Sequence, residues 1–195
     1  MRRTGLTADR VYRRRMRVIG TVGLPGSGKG EAAAVAREED IPVVTMGDVI
    51  RRECRERGLD PADHHGEVAT ALREEDGPLA IAERSLPLIE ERLEGSRVVL
   101  VDGLRSGAEA ERFEEAFGEA FTLIAVEAPF ELREERLDVR GRDNPETEPL
   151  ETRDERELGF GMGEAMARAD VTIENTGSLA AFRERIDELL SEARR

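Results

Sequence analysis

Eight consecutive residues, Gly23-Leu24-Pro25-Gly26-Ser27-Gly28-Lys29-Gly30, combine four glycines with the only lysine of the chain. The apolar, largely β-branched run Val18 to Val22 comes before them and a helical pattern comes after. Strand, glycine-rich turn and helix are the context a phosphate-binding loop requires. Glycines let successive backbone N–H groups turn inward onto phosphate oxygens, and the helix N-terminus adds its partial positive charge. Lys29 would reach the β- and γ-phosphates of ATP as a compact, movable ammonium. The hydroxyl residue that usually follows the lysine and ligates Mg2+ is missing, since Gly30 and then Glu31 occupy those positions. Two roles are open to Glu31: approach to the ion, directly or through water, or electrostatic support of the helix N-terminus. Asp102 closes the run Val98 to Val101. A carboxylate where a buried strand meets the ligand edge is the natural partner of a metal ion or its water, although Gly103 also allows a turn cap.

A second group is cationic. Arg133, Arg136, Arg140 and Arg142 lead into Gly141 to Pro149, a polar stretch with two prolines, and Arg153 and Arg156 follow it. Such a stretch reads as an exposed loop. Helical spacing puts Arg133, Arg136 and Arg140 on one face. The plain reading, an exposed helix pairing with Glu131, Glu134, Glu135 and Asp138, is preferred for Arg133. For Arg136, Arg140 and Arg142, proximity to the loop favours function.

Two further segments carry a resemblance. Thr45-Met46-Gly47-Asp48-Val49-Ile50-Arg51 resembles the acceptor-binding turn and helix of nucleoside monophosphate kinases, with Met46 where adenylate kinases carry threonine, and Asp102-Gly103-Leu104-Arg105 resembles their strand-end Asp-Gly and arginine. The resemblance implies that Gly47, Arg51 and Arg105 hold an acceptor phosphate, a task that suits a guanidinium fork. It also implies that Asp48 orients or deprotonates an acceptor hydroxyl if the acceptor is an alcohol. Ala169 to Ser178 is similar to the last strand and base-side loop of dephospho-coenzyme A kinases, which puts Asn175 and Thr176 near the nucleotide base; the same residues fit a plain strand-to-helix turn. In such kinases the segment around Arg136, Arg140 and Arg142 is a lid over the phosphates. A transition-state arginine of that kind contributes about 10³ to 10⁵ in rate. From Met16 onward the chain resembles an archaeal family of P-loop kinase-like proteins, on Gly-Lys-Gly-Glu, Met-Gly-Asp-Val, Asp-Gly-Leu-Arg and Arg-Asp-Glu-Arg-Glu at Arg153 to Glu157.

The elements that must position these residues follow from apolar periodicity. Val18 to Val22, Ile41 to Val44, Val98 to Val101, Leu123 to Val126 and Val171 to Ile173 read as buried strands, and Glu31 to Glu39, Leu79 to Leu93, Ala108 to Phe117 and Leu179 to Leu190 as helices. Their alternation implies a P-loop three-layer α/β/α fold: a five-stranded parallel sheet, nucleotide-kinase-like with a short lid, and ligands beyond the carboxyl ends of the strands. The expected organisation is a basic arm over 1–15 and a single domain over 16–195, with the acceptor part at about 46–94 and the lid at about 136–156. Phe113, Phe117, Phe121 and Phe182 read as core.

Charge narrows the function classes. The net charge is −13, and seven of the 30 basic residues lie in the first 17 positions beside one acid, so the body carries 23 basic against 42 acidic residues. That balance argues against nucleic acid as a partner, since such binding gains its affinity from cations that displace counterions. No apolar run approaches the roughly 18 residues of a bilayer crossing, which points to a cytoplasmic monomer or homodimer without a membrane partner. The acidic, arginine-rich composition fits either a salt-adapted surface or a GC-rich genome. Cys54 is single, which excludes an intrachain disulfide. His64 and His65 would point about 100° apart on a helix and so chelate one ion poorly; they read as surface or acceptor-part side chains. The expectation is an ATP- and Mg2+-dependent kinase of a small anionic, nucleotide-like acceptor. The competing reading is a nucleotide-binding regulator or slow ATPase, which the missing hydroxyls at positions 30 and 31 favour.

Overall fold

Side-chain alternation along the strands sets the architecture. In β1 (Arg17–Val22) Val18 and Val22 enter one core and Ile19 the other; in β3 (Val98–Asp102) Val99 and Val101 oppose Val98 and Leu100; in β4 (Phe121–Glu127) Phe121, Leu123 and Ala125 oppose Ile124 and Val126. Strands apolar on both faces form a parallel sheet covered on both sides. With β2 (Val43–Thr45) and β5 (Val171–Glu174) the order is β2-β3-β1-β4-β5, and every pairing is parallel. β2 starts at Val43 rather than at Ile41 because Pro42 has no N–H to give a ladder, although its carbonyl accepts from Leu100 N at 3.0 Å.

This computed structural model describes residues 17–140 and 148–194, without the side chains of residues 138–140. The expectations placed on the arm, on Arg142 and on the Arg140 side chain lie outside the described residues. One helical layer consists of α1 (Lys29–Glu38) and α9 (Leu179–Arg194), which bury Ala32, Ala36, Phe182 and Ile186 against the sheet. The other layer consists of α2 (Met46–Glu56), α3 (Pro61–Asp76), α4 (Ala80–Gly95), α5 (Gly107–Phe117) and the short α8 (Met162–Ala167). Phe113 is fully buried there, with ring centroids 5.9 Å from Phe121 and 6.3 Å from Phe117. Helices α6 (Phe130–Arg140) and α7 (Leu150–Gly159) flank the proline-containing segment.

Strand order decides what meets at the sheet edge. β1 is central, and register aligns Thr21 of β1, Asp102 of β3 and Thr45 of β2 at their carboxyl ends. The phosphate-loop sequence leaves β1 there, and the acceptor segment leaves β2 two strands away. The arrangement is the three-layer P-loop kinase fold expected from the sequence.

Candidate active site

The loop after β1 is packed from several sides. Gly28 (φ 119°) caps α1, and a Cβ on it would lie 2.5 Å from the Asn175 amide nitrogen; Gly26 (φ 78°) lies so close to α6 that a Cβ would stand 2.8 Å from the Arg133 carbonyl. Both positions combine the left-handed region with close approach, so only glycine fits. Around Gly30 the space is open within 4 Å. Lys29 Nζ donates to the carbonyls of Gly23 and Leu24, the latter at 3.2 Å, and arches over the loop. Burial pushes its ammonium below the ordinary lysine value; Asp102 and Glu157 oppose that shift, while Arg105 and Arg133 reinforce it. The Ser27 hydroxyl is buried and has no hydrogen-bond partner among the described residues. A partly buried lysine, an unpaired hydroxyl and a glycine-turned backbone fit a polyphosphate.

On the metal side the two candidate carboxylates part company. Thr21 Oγ1 donates to Asp102 Oδ1 at 3.0 Å, which fixes that carboxylate within the field of Lys29. Glu31 lies at the start of α1, where Arg183 of α9 donates to its carboxylate. Of the two roles open to it, approach to Mg2+ or support of the helix N-terminus, that ion pair favours the structural one. Among the described residues no group of three acidic, histidine or cysteine side chains could form a protein-only metal cage. Mg2+ commonly takes one or two carboxylates plus substrate phosphates and water, so Asp102 alone suits an ion that arrives with a nucleotide.

Arg133 corrects the sequence reading. Instead of pairing with acids on its own exposed helix, it is 4% exposed, donates to Pro25 O at 3.0 Å and Ala128 O at 3.1 Å, and grips Asp154 of α7 at 2.8 and 2.6 Å. The guanidinium therefore ties the phosphate loop to both helices that flank the proline-containing segment. A planar fork with five donors can satisfy two carbonyls and a carboxylate at once. Its signal was its place one turn after β4, at the close of the sheet-edge turn.

Asn175 and Arg136 meet at the end of β5. The Asn175 amide donates to Ser27 O at 2.8 Å, and Arg136 Nη2 donates to the Asn175 carbonyl at 2.8 Å and to its side-chain oxygen at 3.3 Å. Gly28, Glu31, Leu132, Glu135, Arg136, Asn175, Gly177 and Leu179 line a cleft of about 370 Å³ beside the loop. Arg136 was expected among the charges that neutralise a transferring phosphoryl group; here its fork is engaged at this cleft, and its Nη1 is buried without a partner among the described residues. Thr176 is exposed.

The acceptor residues gather on the other side of the loop. Thr45 and Asp48 form a reciprocal capping box at the start of α2, and Asp48 also accepts from Arg51 at 2.6 and 3.1 Å. Burial alone would raise the Asp48 carboxyl, but hydrogen bonds from Thr45 and Arg51 more than offset it, and the group lies below the usual carboxylate range. A Cβ on Gly47 would stand 3.1 Å from Arg51 Nη1 and 3.5 Å from His65 Nε2, so both rest over one bare α-carbon. Burial, then Arg51 and Arg105, hold the His65 imidazolium below the ordinary histidine value. Arg105 pairs at 3.2 Å with Glu157 of α7, which is 7% exposed. Arg73 of α3 lies 5.8 Å from the Phe160 ring centroid, within the fields of Glu109, Arg105 and Glu157. The resemblance signalled Gly47, Asp48, Arg51 and Arg105, and His65 was read as a surface or acceptor-part side chain without a role; Arg73 of α3 and Glu157 of α7 were given none.

The AAA domain model matches residues 22–152. The chain is 58% identical over 177 residues to the UPF0200 protein of Halobacterium salinarum, covering 90% of this chain and 93% of that one. It is 48% identical over 179 residues to the UPF0200 protein of Methanosarcina acetivorans, covering 90% and 95%. The chain belongs to the UPF0200 family. That membership agrees with the archaeal P-loop kinase-like family the motifs pointed to. Among solved structures the UPF0200 chain is similar to TT1252 from Thermus thermophilus (TM-score 0.63, 23% identity, 91% of this chain and 98% of that one). It is similar as well to shikimate kinase from Acinetobacter baumannii in complex with shikimate (0.54, 18%, 91% and 94%) and to a gluconokinase from Sinorhizobium meliloti (0.54, 17%, 93% and 99%). These likenesses establish the fold, that of P-loop kinases. Among the described residues no helix is long and apolar enough to cross a membrane.

Proposed function

We propose that the UPF0200 chain is an ATP-dependent phosphotransferase that moves the γ-phosphoryl group to a small anionic acceptor. The observation that carries this reading is the sheet edge: register brings Asp102 level with Thr21, just before the phosphate loop, and with Thr45, at the start of the acceptor segment, so the two sides meet at one carboxylate. The loop amides and the α1 N-terminus bind the triphosphate, and Lys29 leaves its carbonyl partners for phosphate oxygens. Asp102 holds Mg2+, which supplies charge neutralisation on the phosphates. The cleft at Asn175 receives the base, with Arg136 along its wall. Arg51 and Arg105 anchor the acceptor anion. Catalysis of this kind is positioning and electrostatics and needs no covalent intermediate on the protein.

Acceptor-stimulated ADP release tests the proposal. The full chain, with ATP and Mg2+ at high salt, is assayed against nucleoside monophosphates, dephospho-coenzyme A and small hydroxy acids, and at least one acceptor is expected to raise ADP release tenfold or more. Nucleotide binding with no stimulation by any of them would instead favour the regulator or slow ATPase, to which the absent hydroxyl after Lys29 and the pairing of Glu31 with Arg183 lend support.

A further inference from the structure

Helix α7 carries two carboxylates three residues apart, Asp154 and Glu157, in the stretch Arg153-Asp154-Glu155-Arg156-Glu157. That spacing puts them on one helix face, yet they serve different partners. Asp154 closes on Arg133 and belongs to the support of the phosphate loop. Glu157, also buried, pairs with Arg105 and lies in the electrostatic reach of Lys29 and Arg73. A buried carboxylate thus stands in the field of both the donor-side lysine and the acceptor-side arginines.

A fixed anion there discriminates between acceptor chemistries. The oxygen of a phosphate monoester is already ionised at neutral pH and needs no base, so Glu157 would only repel it. An alcohol oxygen must lose a proton as it is phosphorylated, and a carboxylate in hydrogen-bond reach takes that proton. Asp48 is poorly placed for the task, because both of its oxygens are engaged, by the Thr45 amide and the Arg51 guanidinium, whereas Glu157 meets Arg105 through Oε1. The convergence of Arg51 Nη1 and His65 Nε2 over Gly47 offers an anionic handle a place to bind, with Arg105 between that corner and Glu157.

We infer that Glu157 is the general base of the transfer, and that the acceptor is a small hydroxy compound bearing an anionic group, its hydroxyl toward Glu157 and its anion toward Gly47, Arg51 and His65. This rests on the phosphotransferase reading. In the step, the acceptor oxygen bonds to Pγ, the bond from Pγ to the β,γ-bridging oxygen breaks, ADP leaves with that electron pair, and the acceptor proton passes to the Glu157 carboxylate and then to water. The handle is a carboxylate or a phosphate, and the assay separates the two.

The test uses the full chain with ATP and Mg2+ against D-glycerate, shikimate and D-gluconate as hydroxy acids, glycerol 3-phosphate and dephospho-coenzyme A as hydroxy phosphates, and AMP, CMP, GMP and UMP, with products assigned by phosphorus NMR. A hydroxy acid or hydroxy phosphate is expected to yield a phosphate monoester. Glu157→Gln is expected to lower its kcat by about 10²- to 10⁴-fold with the acceptor KM within threefold, and Glu157→Asp to recover at least tenfold of the loss. Calorimetric titration of the same acceptor onto Glu157→Gln is expected to give a Kd within threefold of wild type. If the glutamine variant does not fold, a crystal of the wild-type chain with the acceptor decides the matter: the hydroxyl is expected within about 3.2 Å of a Glu157 oxygen, and any other placement overturns the assignment. Formation of a phosphoanhydride from a nucleoside monophosphate, or a Glu157→Gln kcat within threefold of wild type, overturns it and leaves the phosphotransferase reading standing. No stimulation by any compound removes both.

Discussion

The two sides of the sheet edge are built on different principles. On the donor side, buried groups lock one another in place: Arg133 holds Pro25 and Asp154, Asn175 holds Ser27, and Gly26 and Gly28 admit these neighbours where any side chain would collide. On the acceptor side, Arg51 and Asp48 are 40% and 52% exposed in their side chains, Arg105 is 43% exposed, and His65 is half-buried. A phosphate loop must present a fixed set of N–H groups, so preorganisation in a dry setting is favourable. An acceptor corner made of exposed arginines depends on its ligand for order and can change specificity at little cost in stability. Glu157 is the exception, a buried anion at the boundary between the two.

The contrast can be broken first at Arg133. Arg133→Ala strips the largely enclosed Asp154, whose side chain is 13% exposed, of its partner and frees the Pro25 carbonyl, so a loss of about 3 kcal/mol in unfolding free energy is expected by chemical denaturation; a loss below 1 kcal/mol would show the donor side to be no more rigid than the acceptor side. At Lys29, Ala is expected to reduce ATP turnover by about 10²- to 10³-fold, and Arg nearly as much, since a guanidinium fork does not fit where a single ammonium arches over the loop. Near-wild-type turnover by Lys29→Arg would mean that the chain's one lysine is there by chance. Asn175→Ala, which orphans the Ser27 carbonyl and one contact of Arg136, is expected to cost about 1–3 kcal/mol by the same denaturation measurement.

Smaller effects are expected on the acceptor side. His65 is held below its unfolded value, so as pH falls through about 6.5 the unfolded chain takes up a proton that the folded chain resists, and stability declines. The fall in melting temperature between about pH 7 and pH 5.5 should therefore be smaller in His65→Gln than in wild type; an equal or larger fall would place the imidazole outside the cationic corner. Arg51→Ala should cost at most about 1 kcal/mol in stability because its ion pair is solvent-screened, while the KM of any stimulating acceptor rises. A large loss of stability with an unchanged KM would erase the distinction between the two sides.

The sheet and the donor loop were legible because they rest on local signals. Apolar runs locate the strands, and Gly23 to Gly30 after such a run specifies a turned backbone. Asp102 could be picked out because it closes a strand, and Gly47, Arg51 and Arg105 because their segments resemble the acceptor-binding parts of nucleoside monophosphate kinases. Arg133 was misread for a physical reason: a sequence shows the acids within helical reach of an arginine, but it does not show a carbonyl 108 positions away or a carboxylate 21 positions away. Glu31 likewise sat beside the phosphate loop in sequence, and its partner came from α9.

By itself the amino-acid sequence determined the alternation of strands and helices and the phosphate loop with its single lysine, since periodicity and spacing act over a few residues, and its motifs carried the resemblance to the family. Tertiary structure alone decided which charges neutralise which. Only parallel register brings Thr21, Asp102 and Thr45 level, and only the packing of α3 on α2 and α4, and of α7 on α8, brings His65, Arg73 and Glu157 within the reach of Arg105. Electrostatic interactions depend on distance and burial in space, and neither is encoded in the order of residues along a chain.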